Sequence, residues 1–127
     1  MSAVMLDTSA LLAYLNGEAG ADKVSVNSGN ARISTVNYSE TVAVLTRRGM
    51  SAAEVRTILS SLLLEVVGFD RDLAEAAGFM ITTTKPFGLS LGDRACLATA
   101  LREGIPAMTA DRAWSGLGIG VPIQLIR

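Results

Sequence analysis

The sequence predicts an α/β fold in which helices flank a central, mostly parallel sheet of four to five strands, as a three-layer sandwich. Short apolar runs alternate along the chain with longer segments of helical periodicity. This alternation is typical of parallel strands joined by crossover helices. The length agrees, because 127 residues suit a single domain over residues 1–127. A domain of this size buries about two-thirds of the surface of its unfolded chain.

The N-terminal part of the chain predicts one strand and two helices. Residues 3–6 form a short apolar run that is typical of a buried parallel strand. Thr8 and Ser9 are helix-capping residues, and the leucines that follow them predict a helix that ends near Gly17. A second, short helix is predicted over residues 20–28.

The middle of the chain repeats this order of strand and helix. Residues 32–36 predict the second strand, and a helix is predicted over residues 37–48. Gly49 ends that helix, and Ser51 opens another whose apolar residues recur at helical spacing.

The C-terminal half completes the sheet and its covering helices. Strands are predicted at 65–69, 107–109 and 121–126, and helices at 71–82 and 90–102.

Four acidic residues stand where strand-like sequence gives way to helix-forming sequence: Asp7, Glu40, Asp93 and Asp111. Asp93 does so at a helix start rather than directly after a strand. The carboxyl ends of parallel strands meet at one edge of the sheet, where ligands bind. Two carboxylates about 4 Å apart repel by about 4 kcal/mol at an effective dielectric constant of ~20, so a converged group needs protons or a cation. Hard oxygen ligands favour Mg²⁺ or Mn²⁺.

Each of these acids also has a structural interpretation as a helix cap. Glu40 and Asp93 have the spacing of a capping box with Asn37 and Ser90, respectively. The other two acids stand at predicted helix entrances, where a carboxylate contributes about 0.3–1 kcal/mol at the positive end of the helix dipole. Taken singly, each acid fits a cap. Their joint occurrence at one sheet edge favours a metal site.

The amino-acid composition restricts the catalytic groups and binding sites that are possible. The chain has no histidine and a single cysteine, Cys96, which excludes cysteine–histidine zinc sites and disulfide frameworks. Because the usual imidazole base is missing, hydrolysis requires a carboxylate or a metal-bound hydroxide. The net charge of −1 gives no overall basic field, so binding of nucleic acid requires local Arg and Lys. No apolar run or basic leader indicates a membrane or export signal, and we expect a cytoplasmic protein.

Side chains next to the acids suit phosphate chemistry. Thr8, Ser9 and Thr109 offer hydroxyls that can hold a water or a phosphate oxygen, and we interpret them as candidate substrate-binding residues. Arg94 and Arg112 each directly follow one of the acids. Either arginine can contact a phosphodiester or form a salt bridge with the acids, and Arg112 is the candidate for substrate binding.

With these residues in place, the sequence resembles the PIN-domain ribonucleases, and most of all the VapC toxins of bacterial toxin–antitoxin pairs. The segments VMLDTSALL, LSLGDRACLATA and MTADRAW resemble the first, third and fourth sequence blocks of that family. The second block is weak in general, and here it is SETVAVL around Glu40. The resemblance covers residues 4 to about 124 in a single order.

The resemblance implies a PIN-like fold with Asp7, Glu40, Asp93 and Asp111 as catalytic, metal-binding residues. It implies Mg²⁺ or Mn²⁺ as the cofactor and endonucleolytic cleavage of single-stranded or looped RNA. It also implies a homodimer and a small cognate antitoxin that packs on an apolar groove. Half of the residues are hydrophobic, and two explanations of this fraction stay open. One is an alanine-rich core, and the other is an apolar surface covered by a partner or a second copy.

Other classes fit the residues less well. A receiver domain needs paired acids after the first strand and a mid-chain phosphoacceptor aspartate, but Thr8 follows Asp7. Phosphatases and exonucleases that use D-x-D or D-x-E at the first strand are excluded because position 9 is serine. The alternative that stays open is a regulatory module that binds RNA or an antitoxin through the same pocket with little hydrolysis.

Overall fold

Five strands form one sheet in the computed structural model, which describes residues 2–127. They are β1 (Val4–Leu6), β2 (Ala31–Ser34), β3 (Leu64–Val67), β4 (Ala107–Thr109) and β5 (Ile123–Leu125). The strand order is β3-β2-β1-β4-β5, and every neighbouring pair is parallel. The predicted sheet of four to five mostly parallel strands is therefore confirmed.

Six α-helices connect and cover these strands within residues 2–127. They are α1 (Thr8–Asn16), α2 (Thr35–Arg47), α3 (Ala52–Ser60), α4 (Arg71–Phe79), α5 (Ile81–Thr84) and α6 (Leu91–Glu103). Short 3₁₀ segments lie at Ala21–Lys23, Lys85–Phe87 and Arg112–Gly116. In the described part of the chain, no helix is both long and apolar enough to cross a bilayer.

The two faces of the sheet carry separate apolar cores. Met5 and Leu6 are both fully buried, and because side chains alternate along a strand they point to opposite faces. Leu6 packs with residues of α1, α2 and α3, whereas Met5 packs with Leu97 of α6 and with Trp114. Helix α4 packs in turn on α6. The molecule thus has the predicted three layers.

The connection order creates a crevice at the middle of the sheet. From β1 the chain moves outward through β2 to β3, and it then crosses to β4 on the other side of β1. A reversal of this kind separates the segments that leave the carboxyl ends of β1 and β4. Ligand sites of open parallel sheets lie at such points, so Asp7 after β1 and Asp111 after β4 are placed where chemistry is expected.

The predicted helix over residues 20–28 is wrong. Only Ala21–Lys23 forms a 3₁₀ turn, and Val24 is already extended. Val24 and Val26 are buried on either side of the exposed Ser25, which is the alternation of extended chain. Gly20 packs directly against the backbone carbonyl of Ile126, so close that a Cβ would overlap it.

Helix α2 begins earlier than predicted. Ser34 ends β2 and its hydroxyl accepts a hydrogen bond from Val36 N at 3.2 Å, so the helix starts at Thr35. The capping box proposed for Asn37 and Glu40 is therefore not the cap of this helix. The predicted helix over 71–82 is also divided, with α4 ending at Phe79 and the single turn of α5 following it.

Candidate active site

One pocket of about 330 Å³ contains all four predicted acids. Its walls come from the segment after β1, from α2, from the start of α6 and from the segment after β4. The lining residues are Asp7, Thr8, Ser9, Leu12, Glu40, Val44, Asp93 and Asp111. The sheet edge thus brings together carboxylates that are up to about a hundred residues apart in sequence.

Asp7 is the buried member of this group. It occupies the N-cap position of α1, but its side chain makes no capping hydrogen bond, so the cap interpretation fails here. Its Oδ2 instead accepts hydrogen bonds from Ser9 Oγ at 2.7 Å and Thr109 Oγ1 at 2.9 Å. Only 4% of the residue is exposed.

Burial perturbs the acidity of Asp7. Removal of the carboxyl group from water raises its pKa from 3.8 to about 6, and the negative charge of Asp93 acts in the same direction. The hydrogen bonds from Ser9 and Thr109 oppose the shift. A buried carboxyl group that is costly to ionise is a ready acceptor for a cation, which would offset that cost.

Glu40 lies one turn into α2 and reaches across to α1. Its Oε1 accepts a hydrogen bond from Thr8 Oγ1 at 2.6 Å and lies 3.3 Å from Asn37 Nδ2. Thr8 is the residue directly after Asp7, so this contact ties the second predicted acid to the first.

Asp93 and Asp111 are caps, as their positions suggested. Asp93 Oδ2 accepts from Ser90 N at 2.9 Å, and Ser90 Oγ accepts from Asp93 N, which completes a capping box at the start of α6. Asp111 Oδ1 accepts from Ala113 N at 3.0 Å and caps the 3₁₀ segment Arg112–Gly116. In both residues the second carboxylate oxygen accepts no hydrogen bond from residues 2–127, so it is available to a ligand.

The hydroxyls of Ser9 and Thr109 hold Asp7 rather than facing the pocket with a free proton. Ser9 Oγ accepts a hydrogen bond from Ala110 N at 3.0 Å, and Thr109 Oγ1 accepts one from Asp111 N at 3.0 Å. Each hydroxyl also donates to Asp7 Oδ2, and the two hydroxyl oxygens lie 3.2 Å from each other. The pair therefore connects Asp7 to the segment that carries Asp111.

Neither arginine lies on the acids. Arg112 Nε donates to the carbonyl of Arg127 at 3.2 Å, and Arg94 Nη1 donates to the carbonyl of Ala77 in α4 at 2.9 Å. Salt bridges among the described residues involve other acids, so the four carboxylates of the pocket have no cationic side-chain partner. Their charge requires another source of compensation.

The contacts of Asn37 are not predictable from the sequence. This residue is fully buried, and its Nδ2 lies within 3.1–3.3 Å of acceptors on Thr8, Glu40 and Gly92. Its place one helical turn before Glu40 was visible in the sequence, but that spacing also fits a cap. Only the packing of α2 against α6 distinguishes the two.

Comparison with known proteins agrees with this geometry. Residues 4–119 match the PIN domain. The chain belongs to the PIN-domain family. A VapC ribonuclease of Mycobacterium bovis is 31% identical over 117 residues, which cover 83% of this chain and 88% of that relative. Ribonuclease VapC42 of Mycobacterium tuberculosis matches with the same identity and coverage. Within its family, this PIN domain is thus VapC-like.

Solved structures of related proteins share the fold over nearly all of the chain. A toxin–antitoxin complex from Klebsiella pneumoniae matches with a TM-score of 0.72 at 20% identity, over 98% of each chain. DNA-bound VapBC from Salmonella typhimurium gives 0.71 at 20% identity over 100% of each chain. VapC20 of Mycobacterium tuberculosis, described as cleaving the sarcin–ricin loop, gives 0.70 at 24% identity over 94% of this chain and 99% of that one.

The donor set of this PIN domain fits a hard divalent cation, although its carboxylates stand apart. Within residues 2–127, no group of three or more His, Cys, Asp or Glu side chains is gathered closely enough to hold a metal ion. Uncompensated carboxylates repel each other, and each acid here is held by its own hydroxyl, amide or backbone donor. The pocket still supplies oxygen ligands only, of the kind that Mg²⁺ and Mn²⁺ prefer. A divalent cation bound in this pocket would take its ligands from these side-chain oxygens, and the carboxylates would have to move closer together to hold it.

Proposed function

We propose that this VapC-like PIN domain is an endoribonuclease that depends on Mg²⁺ or Mn²⁺ and cleaves single-stranded or looped RNA. We further propose that it is the toxin of a toxin–antitoxin pair. The ribonuclease names of its relatives support the activity. The observation that carries the proposal is the pocket that all four carboxylates line, none of which has a cationic side-chain partner within residues 2–127.

The four acids hold the cation in this proposal. Asp7 and Asp93 are its primary ligands, and Glu40 and Asp111 complete one site or share a second ion. When bound, such a cation lowers the pKa of water toward neutral and stabilises charge on the phosphoryl oxygens, which replaces the missing histidine base. Ser9 and Thr109 orient Asp7, and Thr8 orients Glu40.

The decisive experiment is 5′-end mapping of total RNA incubated with purified, antitoxin-free protein. The reaction is run with Mg²⁺ or Mn²⁺, with EDTA, and with the variant Asp93→Asn in the presence of metal. We expect new ends that carry a 5′-phosphate, which disappear in EDTA and in the variant. Products that end in a 2′,3′-cyclic phosphate would contradict hydrolysis by activated water.

The substitution Asp93→Asn is informative because it retains the cap. An amide oxygen can still accept from Ser90 N, so we expect the fold to persist while turnover is lost. Asp72→Asn is the matched control, since Asp72 is an exposed acid in the first turn of α4. Full activity of Asp93→Asn would refute the assigned site. Metal binding without any cleavage would favour the regulatory module.

We also propose a small antitoxin protein as partner and a homodimer as the assembly. The toxin–antitoxin complexes among the structural relatives support a protein partner. An apolar groove of about 330 Å³ between α2 and α3 gives such a partner a surface, with Tyr38, Val42, Val55 and Leu59 in its lining. Sedimentation of the protein with and without its antitoxin tests both assemblies. The cytoplasmic location and the domain extent over residues 1–127 stay predictions.

A further inference from the structure

We propose that Asn37 and Gly92 form a positioning pair that holds the Glu40 carboxylate in the acidic pocket and thereby sets the affinity of the pocket for its divalent cation. This inference rests on the proposed function, because it treats Glu40 as a metal ligand. Neither residue is acidic and neither needs to touch the RNA. They act through Glu40, one by hydrogen bonding and the other by leaving space.

Asn37 joins three helices through one side-chain amide. Its Nδ2 lies 3.1 Å from Thr8 Oγ1 in α1, 3.3 Å from Glu40 Oε1 in α2 and 3.1 Å from the carbonyl of Gly92 in α6. The residue is fully buried, and its Oδ1 has no hydrogen-bond partner among the described residues. Because burial of an unpaired acceptor costs free energy, stability alone does not explain an amide at this position. Orientation of Glu40 does.

Gly92 leaves the space that the Glu40 carboxylate occupies. A Cβ built on Gly92 lies 2.6 Å from Glu40 Cδ and overlaps the carboxylate oxygens as well. Unbonded carbon atoms normally approach to about 3.5–4.0 Å, so alanine and this position of Glu40 exclude each other. The backbone of Gly92 is helical with no positive φ, and alanine would favour the helix. The glycine is therefore explained by its neighbour rather than by its own conformation.

Gly92 takes part in both the hydrogen bonding and the spacing around Glu40. Gly92 provides the carbonyl that anchors the Asn37 amide, and it is the residue directly before Asp93. The pair thus fixes α2 against the first turn of α6, which carries the next acid of the pocket. Thr8 completes the arrangement, since its hydroxyl donates to Glu40 Oε1 at 2.6 Å.

The test compares Gly92→Ala with Gly78→Ala. Gly78 lies in α4 with nothing within 4 Å of a Cβ, so the same substitution there has no neighbour to displace. Mn²⁺ binding is measured by titration calorimetry, and RNA cleavage is measured separately. We expect Gly92→Ala to weaken Mn²⁺ binding roughly 10- to 100-fold, the range found when partners of metal ligands are removed. Gly78→Ala should stay within about twofold of the parent protein, and both variants should remain folded, since alanine favours a helix over glycine.

A double-mutant cycle shows whether Gly92 acts through Glu40. In the Glu40→Gln background the carboxylate is already absent, so Gly92→Ala should produce little further loss of Mn²⁺ affinity. Equal losses in both backgrounds would overturn the inference. The substitution Asn37→Ala should weaken Mn²⁺ binding in the same range.

A readout without metal or RNA separates this inference from the proposed function. The buried side-chain amide of Asn37 gives an NMR signal whose shift and exchange rate depend on its contacts. We expect Gly92→Ala to move that signal and Gly78→Ala to leave it unchanged. If the protein binds Mn²⁺ as described but cleaves no RNA, nuclease function fails and the positioning pair stands. If RNA is cleaved and Gly92→Ala matches Gly78→Ala in Mn²⁺ affinity and NMR, the pair is refuted while the function stands. A parent protein that binds no Mn²⁺ overturns both.

Discussion

Replacement of Asp7 by asparagine should stabilise the metal-free protein at neutral pH. The residue is 4% exposed, and its carboxyl group accepts hydrogen bonds from the hydroxyls of Ser9 and Thr109. Burial raises its pKa from 3.8 to about 6. Because the folded state holds this proton more tightly than the unfolded state does, the contribution of Asp7 to the free energy of unfolding is highest below about pH 4 and is lost as the pH rises through 6.

The size of the effect follows from the shift. About two pKa units at about 1.4 kcal/mol each correspond to roughly 3 kcal/mol of lost stability above pH 6 or 7. Asparagine has no charge to bury, so Asp7→Asn should regain that amount. Glu18, Glu54 and Asp70 have lowered pKa values and act in the opposite direction at low pH. They are present in both proteins, so their contribution cancels in the difference.

Urea unfolding of both proteins in EDTA at pH values from 3.5 to 8 measures that difference. We expect it to rise by roughly 3 kcal/mol in favour of the variant between about pH 4 and 7. Addition of Mn²⁺ at a hundred times its dissociation constant should then stabilise the parent protein by about 2.7 kcal/mol and leave the variant unchanged. A stability difference that does not vary with pH would refute the assignment of Asp7 as a buried carboxyl group with a raised pKa.

Three further predictions concern the acidic pocket and the core behind it. Thr109→Val removes a hydrogen bond that lowers the pKa of Asp7, so the pH midpoint of Mn²⁺ binding should move upward. An unchanged midpoint would contradict the role of the Thr109 hydroxyl. Trp114→Ala should lower the free energy of unfolding by about 3–5 kcal/mol in urea, since this side chain is fully buried. If Arg112 binds substrate, Arg112→Ala should raise the KM for RNA several-fold with kcat unchanged. The exposed Arg71→Ala serves as its control, and equal KM values would remove Arg112 from the site.

The sheet and the placement of the acids at one edge were predictable because both follow from the sequence of short apolar runs and capped helices along the chain. A short apolar run followed by a capped helix specifies a parallel strand, and parallel strands place their carboxyl ends together. Asp7, Glu40 and Asp111 could therefore be located without any knowledge of which strands are neighbours. The strand order itself depends on long-range packing, which no local pattern reports.

The contacts inside the pocket were not predictable for the same reason. The spacing of Asn37 and Glu40 fits a capping box as well as a hydrogen-bonded bridge between helices. Ser34, rather than Asn37, caps α2 because β2 ends at Ser34. In the sequence, nothing distinguishes Gly92 from any other residue at a capped helix start. The reason for a glycine at this position is apparent only in the folded structure, where the Glu40 side chain from α2 fills the space beside it.

The cap and the metal ligand are compatible interpretations of an acid at a helix start, because a carboxylate has two oxygens. Asp93 uses Oδ2 for Ser90 N, and Asp111 uses Oδ1 for Ala113 N. A cap that occupies one oxygen also restricts the rotation of the side chain, so the other oxygen loses less conformational entropy when it binds a cation. Asp7 lacks a capping bond and is held by two hydroxyls instead. Each acid of the pocket is thus oriented by a local donor in the absence of a cation. In the proposed metal site, the free energy of cation binding has to offset both the repulsion between the carboxylates and the movement that brings them together.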